Sequence, residues 1–334
     1  MDNMETVSLI DRANSTGWKG LLILLIVLGH TSLLCKYGAG ENDFYAWRHW
    51  LYEFHVRAFF ILPFLYGCKQ MGAKELFTET RKTFVRLFVP YIWIVGVCVI
   101  IQLLLGNPVD YGKAIWAFIV GSQGMLHEYI GFHFLWFLPT MFAVILIRNV
   151  YYSIPTVGKC IIAVMMLGVY LIDLESIASY IPFNLINALK YAAPGILVRC
   201  ISVSFPYVCM KWGCAFVFVL SSTVFFTCSG ILLNGWPVAY MVLSMILPLS
   251  FGCLTYAFQK YANIGILKFI GRYSLQVYLF HVIVYNVLLH FSCSFFSPGI
   301  ALGFLLYGLT LLISLGMAVT IDIIPPLKRI LFPR

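Results

Sequence analysis

The chain has 334 residues, of which 61% are hydrophobic and only 10% charged, and it carries a formal net charge of +9. A soluble domain has about a quarter of its residues charged, so an ordinary water-soluble globule is excluded. In so apolar a chain the basic excess has to be sorted by membrane side before a nucleic-acid partner is invoked.

A helix needs about 20 mostly apolar residues to cross a bilayer, because its N–H and C=O groups find no water there and must bond within the segment. Runs such as GLLILLIVLG and GFLLYGLTLLISLGMAV lack the polar alternation of a membrane β-barrel. The expected fold class is therefore all-α, a polytopic integral membrane protein. Ten spans are predicted, at about 18–35, 46–68, 86–106, 133–149, 158–173, 187–203, 210–227, 238–257, 271–290 and 299–321.

A polar stretch with Asp2, Glu5, Asp11 and Arg12 precedes the first span and no convincing cleavage site follows it, so that span is expected to be retained. Residues 111–121 (YGKAIWAFIVG) are too short to cross and read as a surface or re-entrant helix before the fourth span. In the sixth span Lys190, Pro194 and Arg199 interrupt the apolar run, the signature of a broken or partly interfacial helix. After the tenth span come only the residues PPLKRILFPR, so a single membrane module over 1–334 with no appended soluble domain is expected. Cys68, Cys98, Cys160, Cys214, Cys228 and Cys253 lie in or beside apolar runs without C-x-x-C spacing. They read as small buried hydrophobes, and no metal site is predicted.

With a cytoplasmic N-terminus, 17 of the 22 basic residues fall on the inner side, among them Lys19, Lys69, Arg86, Arg148, Lys159 and Lys268. The outer five (Lys36, Arg48, Arg57, Lys113 and Lys190) are outnumbered by seven carboxylates, Glu53, Asp110, Glu128 and Asp173 among them. This positive-inside bias predicts ten spans with both termini cytoplasmic, a multi-pass protein of the cell's inner or plasma membrane. It accounts for the net charge without nucleic acid.

An ionisable side chain in hydrocarbon costs several kcal/mol unless it snorkels, pairs or faces a cavity. His30 follows an almost unbroken apolar run, eleven positions after Lys19, roughly 16 Å along a helix axis. His55 lies fourteen positions before Lys69, His281 thirteen after Lys268, and His133 fifteen before Arg148, which ranks all four imidazoles in the outer halves or at the outer ends of separate spans. Glu53 and Arg57 have the i,i+4 order that favours a helix pair, and His55 points about 160° away from Glu53 on the wheel. The pair and His55 therefore cannot share one narrow cavity. Tyr278 and His281 are i,i+3 neighbours, with Ser274 a turn earlier. A neutral imidazole is a general base for a hydroxyl or a nucleophile toward an activated acyl group. Lys19 below and His30 above resemble a slot for a donor with a charged nucleotide at one end and a reactive acyl group on a long arm at the other.

Five segments resemble, in order, the membrane-bound acyltransferase 3 family, whose members acylate sugars and envelope polysaccharides. The first is KGLLILLIVLGH, from Lys19 to His30, and the second HVRAFFILPFLYG, with His55, Phe59, Phe60 and Gly67. RLFVPY with Arg86, Pro90 and Tyr91 and LWFLP with Trp136 and Phe137 come next, followed by Gly271, Ser274, Tyr278 and His281. The match spans roughly residues 10 to 320 and includes the ten-span layout. The resemblance implies that His30 is the catalytic histidine, acting as base on the acceptor hydroxyl or transiently taking the acyl group, and that Lys19 with Arg86 binds phosphates of acyl-coenzyme A, most often acetyl-coenzyme A, arriving from the cytoplasm. It further implies a lipid-linked or extracytoplasmic glycan acceptor amid membrane lipid. His55, Glu53, Arg57, His133, Trp136, Tyr278 and His281 remain as candidates for touching substrate or supporting the residues that do. A homo-oligomer is left open.

The chain departs from the family pattern where Arg57 and Ala58 replace Pro-Leu and where Tyr66 replaces a serine. An Arg57 facing the acceptor implies an anionic or unusually polar substrate, and an Arg57 locked to Glu53 implies nothing about it. The rival reading is a glycan or small-anion transporter or flippase, because intramembrane charges and broken spans also mark transport paths. Against it stand the lack of paired half-repeats and the clustering of charge by depth.

Overall fold

The computed structural model describes residues 8–30, 41–67, 70–172, 174–204, 211–292 and 300–333. Lys36, Cys68, Lys69, Asp173 and the predicted span ends at 31–35, 68, 173, 210 and 299 lie outside the described residues.

All regular structure among the described residues is helical. In chain order the helices are α1 (Arg12–His30), α2 (Glu41–Leu65), α3 (Ala73–Leu104), α4 (Tyr111–Val120), α5 (Gln123–Ile130), a 3-10 turn at His133–Trp136, and α6 (Phe137–Ser153). They continue with α7 (Thr156–Leu171), the single turn α8 (Glu175–Ala178), a 3-10 turn at Pro182–Asn184, α9 (Leu185–Ser204), α10 (Lys211–Gly235) and α11 (Pro237–Ala257). After a 3-10 turn at Gln259–Ala262 come α12 (Gly265–Arg272), α13 (Ser274–Ser292), α14 (Ile300–Ile323) and α15 (Pro325–Leu331). Span ends aside, the described residues of the ten predicted spans are helical, the fourth span opening in the His133–Trp136 turn and the ninth divided between α12 and α13. Four helical stretches, Ala73–Leu104, His133–Ser153, Ser274–Ser292 and Ala301–Ile323, are long and apolar enough to cross a membrane. Large apolar side chains such as Ile92, Trp93, Ile100, Val164, Leu167, Phe216 and Val219 stand exposed on helix faces, as suits contact with lipid.

The helices gather into two compact units. The first comprises residues 67–193 and 321–334 of the described chain. In it α3 packs on α6, and α4, α5 and the His133 turn close one end. Asp110 caps α4 by accepting from the Lys113 N–H at 3.1 Å, and Gly121 ends it in the left-handed region, where a Cβ would strike the Pro139 ring. An aromatic core holds this unit: Phe84 stacks on Phe88 at 4.3 Å, and Phe88 meets Tyr91, Phe142 and Phe183 edge-on.

The second unit comprises residues 8–66 and 194–320. Within it α1 runs between α2, α12 and α13, while α11 packs on α2 and α10. The closest seam joins α1 to α12. A Cβ on Gly17 would overlap the Ala262 carbonyl, one on Gly20 the Leu267 carbonyl, and one on Gly271 the Thr16 carbonyl. Glycine is used here because only bare backbone lets two helices approach so closely. Gly271→Leu is therefore expected to wedge α12 off α1 and lower the thermal midpoint of the detergent-solubilised protein by several degrees. A scanning-fluorescence melt checks this, with Gly308→Ala, where an added Cβ meets open space, as control.

Three expectations need correction. The third span, expected from about residue 86, belongs to a longer helix: α3 starts at Ala73, thirteen residues before Arg86, because Ala, Lys, Glu, Leu and Arg are strong helix formers even where hydropathy is low. The sixth span is not broken, since α9 continues through Pro194. Proline removes the N–H that would bond the Lys190 carbonyl, and the Tyr170 hydroxyl donates to that carbonyl instead at 2.7 Å. Arg199, read from sequence as a further interruption, is buried and donates to the Phe64 and Tyr66 carbonyls at 2.9 and 3.0 Å, closing the C-terminal end of α2. Among the cysteines, Cys98, Cys214 and Cys253 are buried as expected, but Cys160 is exposed and Cys228 half-buried.

Candidate functional site

His30 is the last residue of α1 and is half-buried. Its Nδ1 lies 3.0 Å from the Ile26 carbonyl, one turn back. A carbonyl can only accept, so Nδ1 carries a proton, and in its neutral form the ring presents Nε2 as its basic nitrogen. His55 on α2 and His281 on α13 are fully buried and held alike: His55 Nδ1 donates to the Leu51 carbonyl, and His281 Nδ1 donates to the Tyr278 carbonyl at 2.6 Å. Three imidazoles thus share one tautomer, each fixed by its own helix.

The His30 and His281 rings meet edge-on with centroids 5.0 Å apart. Tyr278 packs on His281 at 5.6 Å, joining the two neighbours that the i,i+3 spacing anticipated. Tyr52 lies on the other side of His30, 5.6 Å from its ring and 5.0 Å from that of His55. The Tyr52 hydroxyl donates to the Gly29 carbonyl at 3.3 Å and stands equally near His30 Nδ1. His55 Nε2, without a partner among the described residues, points at Gly29. Sequence reasoning missed Tyr52, although the signal is present: YEFH at 52–55 repeats the spacing of YLFH at 278–281. Two Tyr-x-x-His turns, one from α2 and one from α13, flank the end of α1.

At the other end of α1, Lys19 is half-buried with its Nζ 5.7 Å above the Tyr66 ring. The Tyr66 hydroxyl in turn hydrogen-bonds Ser15. The residue that replaces the resembled serine therefore serves as a platform under the lysine. Lys19 and His30 stand on one continuous helix, which confirms their separation of roughly 16 Å.

Glu53 and Arg57 turn away from this cluster toward α11. The ion pair is 2.9 Å long, Arg57 also donates to the Ser244 carbonyl at 2.5 Å, and the Tyr240 hydroxyl donates to Glu53 at 3.3 Å. Arg57 is locked, so the inference of an anionic acceptor drawn from it falls away. Arg86, His133 and Trp136 belong to the other unit. Arg86 is exposed on α3, and His133 and Trp136 are half-buried on their 3-10 turn. Among the described residues no group of His, Cys, Asp or Glu could hold a metal ion.

The chain matches the family model of acyltransferase 3, described as an acyltransferase domain, over residues 12–319, a stretch that runs through both units. No curated protein and no solved structure matches it.

Proposed function

We propose that this chain, which belongs to the acyltransferase 3 family, transfers an acetyl group from acetyl-coenzyme A to a hydroxyl of a cell-envelope sugar or polysaccharide. The observation that carries the reading is the end of α1, where His30 is held with Nε2 as base between Tyr52 and His281 while Lys19 stands on the same helix. The span from Lys19 to His30 is comparable to the extended phosphopantetheine arm of coenzyme A.

In this scheme Lys19 attracts the phosphates of the donor from the cytoplasm, and the thioester lies beside His30. His30 Nε2 removes the proton of the sugar hydroxyl as its oxygen attacks the thioester carbonyl. The tetrahedral intermediate collapses with cleavage of the C–S bond, and the imidazolium returns its proton to the departing thiolate. Products are the O-acetyl ester and free coenzyme A. Donation from Nδ1 to Ile26 keeps the ring from rotating and stabilises the imidazolium once formed. The acceptor, a lipid-linked or extracytoplasmic glycan, approaches from the outer side of a multi-pass protein in the inner or plasma membrane, with ten spans, both termini cytoplasmic and one module over the whole chain.

The test is transfer of label from radiolabelled acetyl-coenzyme A to glycan by the purified protein, joined to mass analysis of cellular glycans with and without the gene. O-acetyl groups that disappear with the protein support the reading. Unchanged glycans together with no transfer in vitro overturn it. Lys19→Glu is expected to raise the donor KM about tenfold or more, through lost phosphate attraction, while the acceptor KM stays put. An unchanged donor KM removes the phosphate role.

A further inference from the structure

All the charges of α3 lie in its first fourteen residues: Lys74, Glu75, Glu79, Arg81, Lys82 and Arg86. The stretch from Leu87 to Leu104 carries none and, at 1.5 Å per residue, is about 27 Å long, close to the hydrocarbon thickness of about 30 Å. α3 is also one of the helices long and apolar enough to cross a membrane. With Leu87 at the edge of the hydrocarbon, Arg86, Lys82 and Arg81 rise roughly 2 to 9 Å above it, the depth of a phospholipid headgroup layer.

The apolar stretch also shows which side of the helix meets lipid. Ile92, Trp93, Val97 and Ile100 are 41% to 56% exposed, whereas Leu87, Phe88, Tyr91, Ile94 and Cys98 are buried. At about 100° per residue, Arg81 lies within about 20° of Ile92, Arg86 within about 20° of Trp93, and Lys82 in line with Ile100. All three basic side chains are exposed. Cations at headgroup depth therefore stand over the lipid-facing side, Arg81 and Arg86 on its two flanks and Lys82 between them. Glu79 holds Lys82 at 2.7 Å, and Glu75 stands about 18 Å above Leu87, beyond the headgroups. Arg81 and Arg86 make no ion pair among the described residues, so their charge is unbalanced by protein.

We propose that Arg81 and Arg86 bind the headgroup phosphates of anionic glycerophospholipids in the leaflet at the N-terminal end of α3, the cytoplasmic leaflet on the topology proposed above. A guanidinium offers paired N–H donors to phosphate oxygens, and two unbalanced cations at this depth complement anionic headgroups whose acyl chains lie along Ile92, Trp93 and Ile100. Arg86, which the family resemblance assigns to the donor's phosphates, is thereby given to lipid. Lipid binding here needs neither the proposed acyl transfer nor any residue of the other unit.

The full-length protein in detergent is given an equimolar mixture of phosphatidylglycerol and phosphatidylcholine with identical acyl chains, and the lipids it retains are counted by native mass spectrometry. Phosphatidylglycerol is expected to be retained about tenfold over phosphatidylcholine, and the preference should shrink as salt is raised. Arg81→Gln/Arg86→Gln is expected to remove most of that preference at an unchanged thermal midpoint. Arg81→Lys/Arg86→Lys should keep part of it, through charge without the paired donors, and Lys113→Gln, which removes a cation from α4, should keep all of it. Equal preference in the unmodified protein and the glutamine double variant overturns the site, as does an unmodified protein with no preference at all. Coenzyme A at millimolar concentration is the competing source of phosphate. Lipid that stays bound in its presence supports the site. Lipid displaced by it, with coenzyme A binding lost in the glutamine double variant, gives the two arginines to the donor and overturns the lipid site.

Discussion

Replacing His30 by alanine is expected to lower acetyl transfer by roughly 10²–10⁴-fold, the contribution of a positioned general base. The argument is geometric. A base must present an unprotonated nitrogen toward the acceptor, and with Nδ1 donating to Ile26 the His30 ring has only Nε2 to offer. His55 and His281 are set in the same tautomer, but both are fully buried, and only His30 among the three is half-exposed. His30→Gln, which keeps hydrogen-bonding capacity without basicity, should be nearly as inactive as the alanine variant. Tyr52→Phe leaves the ring in place and deletes the hydroxyl that steadies the Gly29–His30 backbone, so it should lower kcat about tenfold with little change in either KM. All are measured as initial rates of label transfer at matched protein abundance and thermal midpoint. A His30→Ala variant that keeps more than a tenth of the activity, or a His281→Ala variant that loses far more, transfers the base role away from His30.

The reach of the sequence differed between the ends of α1 and its flanks. Long apolar runs announce helices because period and hydropathy are local properties, and the Lys19–His30 spacing carries over intact once the segment is a helix. Tyr278 beside His281 is likewise a matter of one turn of one helix. Contacts that depend on a neighbour were not legible. Gly17 and Gly20 carry no signal in the sequence, and Gly271 figures there only as part of a motif, until α12 is set against α1 and three carbonyls occupy the space of their missing Cβ atoms. Tyr66 replaces a serine, which reads as a loss, yet its ring lies beneath Lys19 and its hydroxyl bonds Ser15. Pro194 signals a break that the Tyr170 hydroxyl, 24 residues away, repairs. Tyr52 was overlooked for another reason: the charged Glu53 and Arg57 beside it dominate any reading by ionisable residues, although its spacing to His55 duplicates that of Tyr278 to His281.

Those two charges support the second large effect. Glu53→Gln and Arg57→Met are each expected to destabilise the protein by about 3 kcal/mol, whereas the double variant Glu53→Leu/Arg57→Met should cost much less than the sum. The side chain of Glu53 is 9% exposed and that of Arg57 24%, so the pair is substantially desolvated, and removing one partner strands the other charge in a poorly solvated site. Arg57 stranded by Glu53→Gln keeps the Ser244 carbonyl, a neutral acceptor that does not balance its charge. Glu53 stranded by Arg57→Met keeps, among the described residues, the neutral Tyr240 hydroxyl, 3.3 Å from Oε1. With both charges gone, apolar side chains of similar length fill the space between α2 and α11 and no ion is left unbalanced. Thermal midpoints in detergent, measured for the two single variants and the double, close the cycle. A role confined to folding predicts that the donor and acceptor KM of whatever protein remains folded are unchanged. Additive losses, or a selective rise in acceptor KM for Arg57→Met at normal stability, would return Arg57 to the acceptor site from which its bonds to Glu53 and Ser244 remove it.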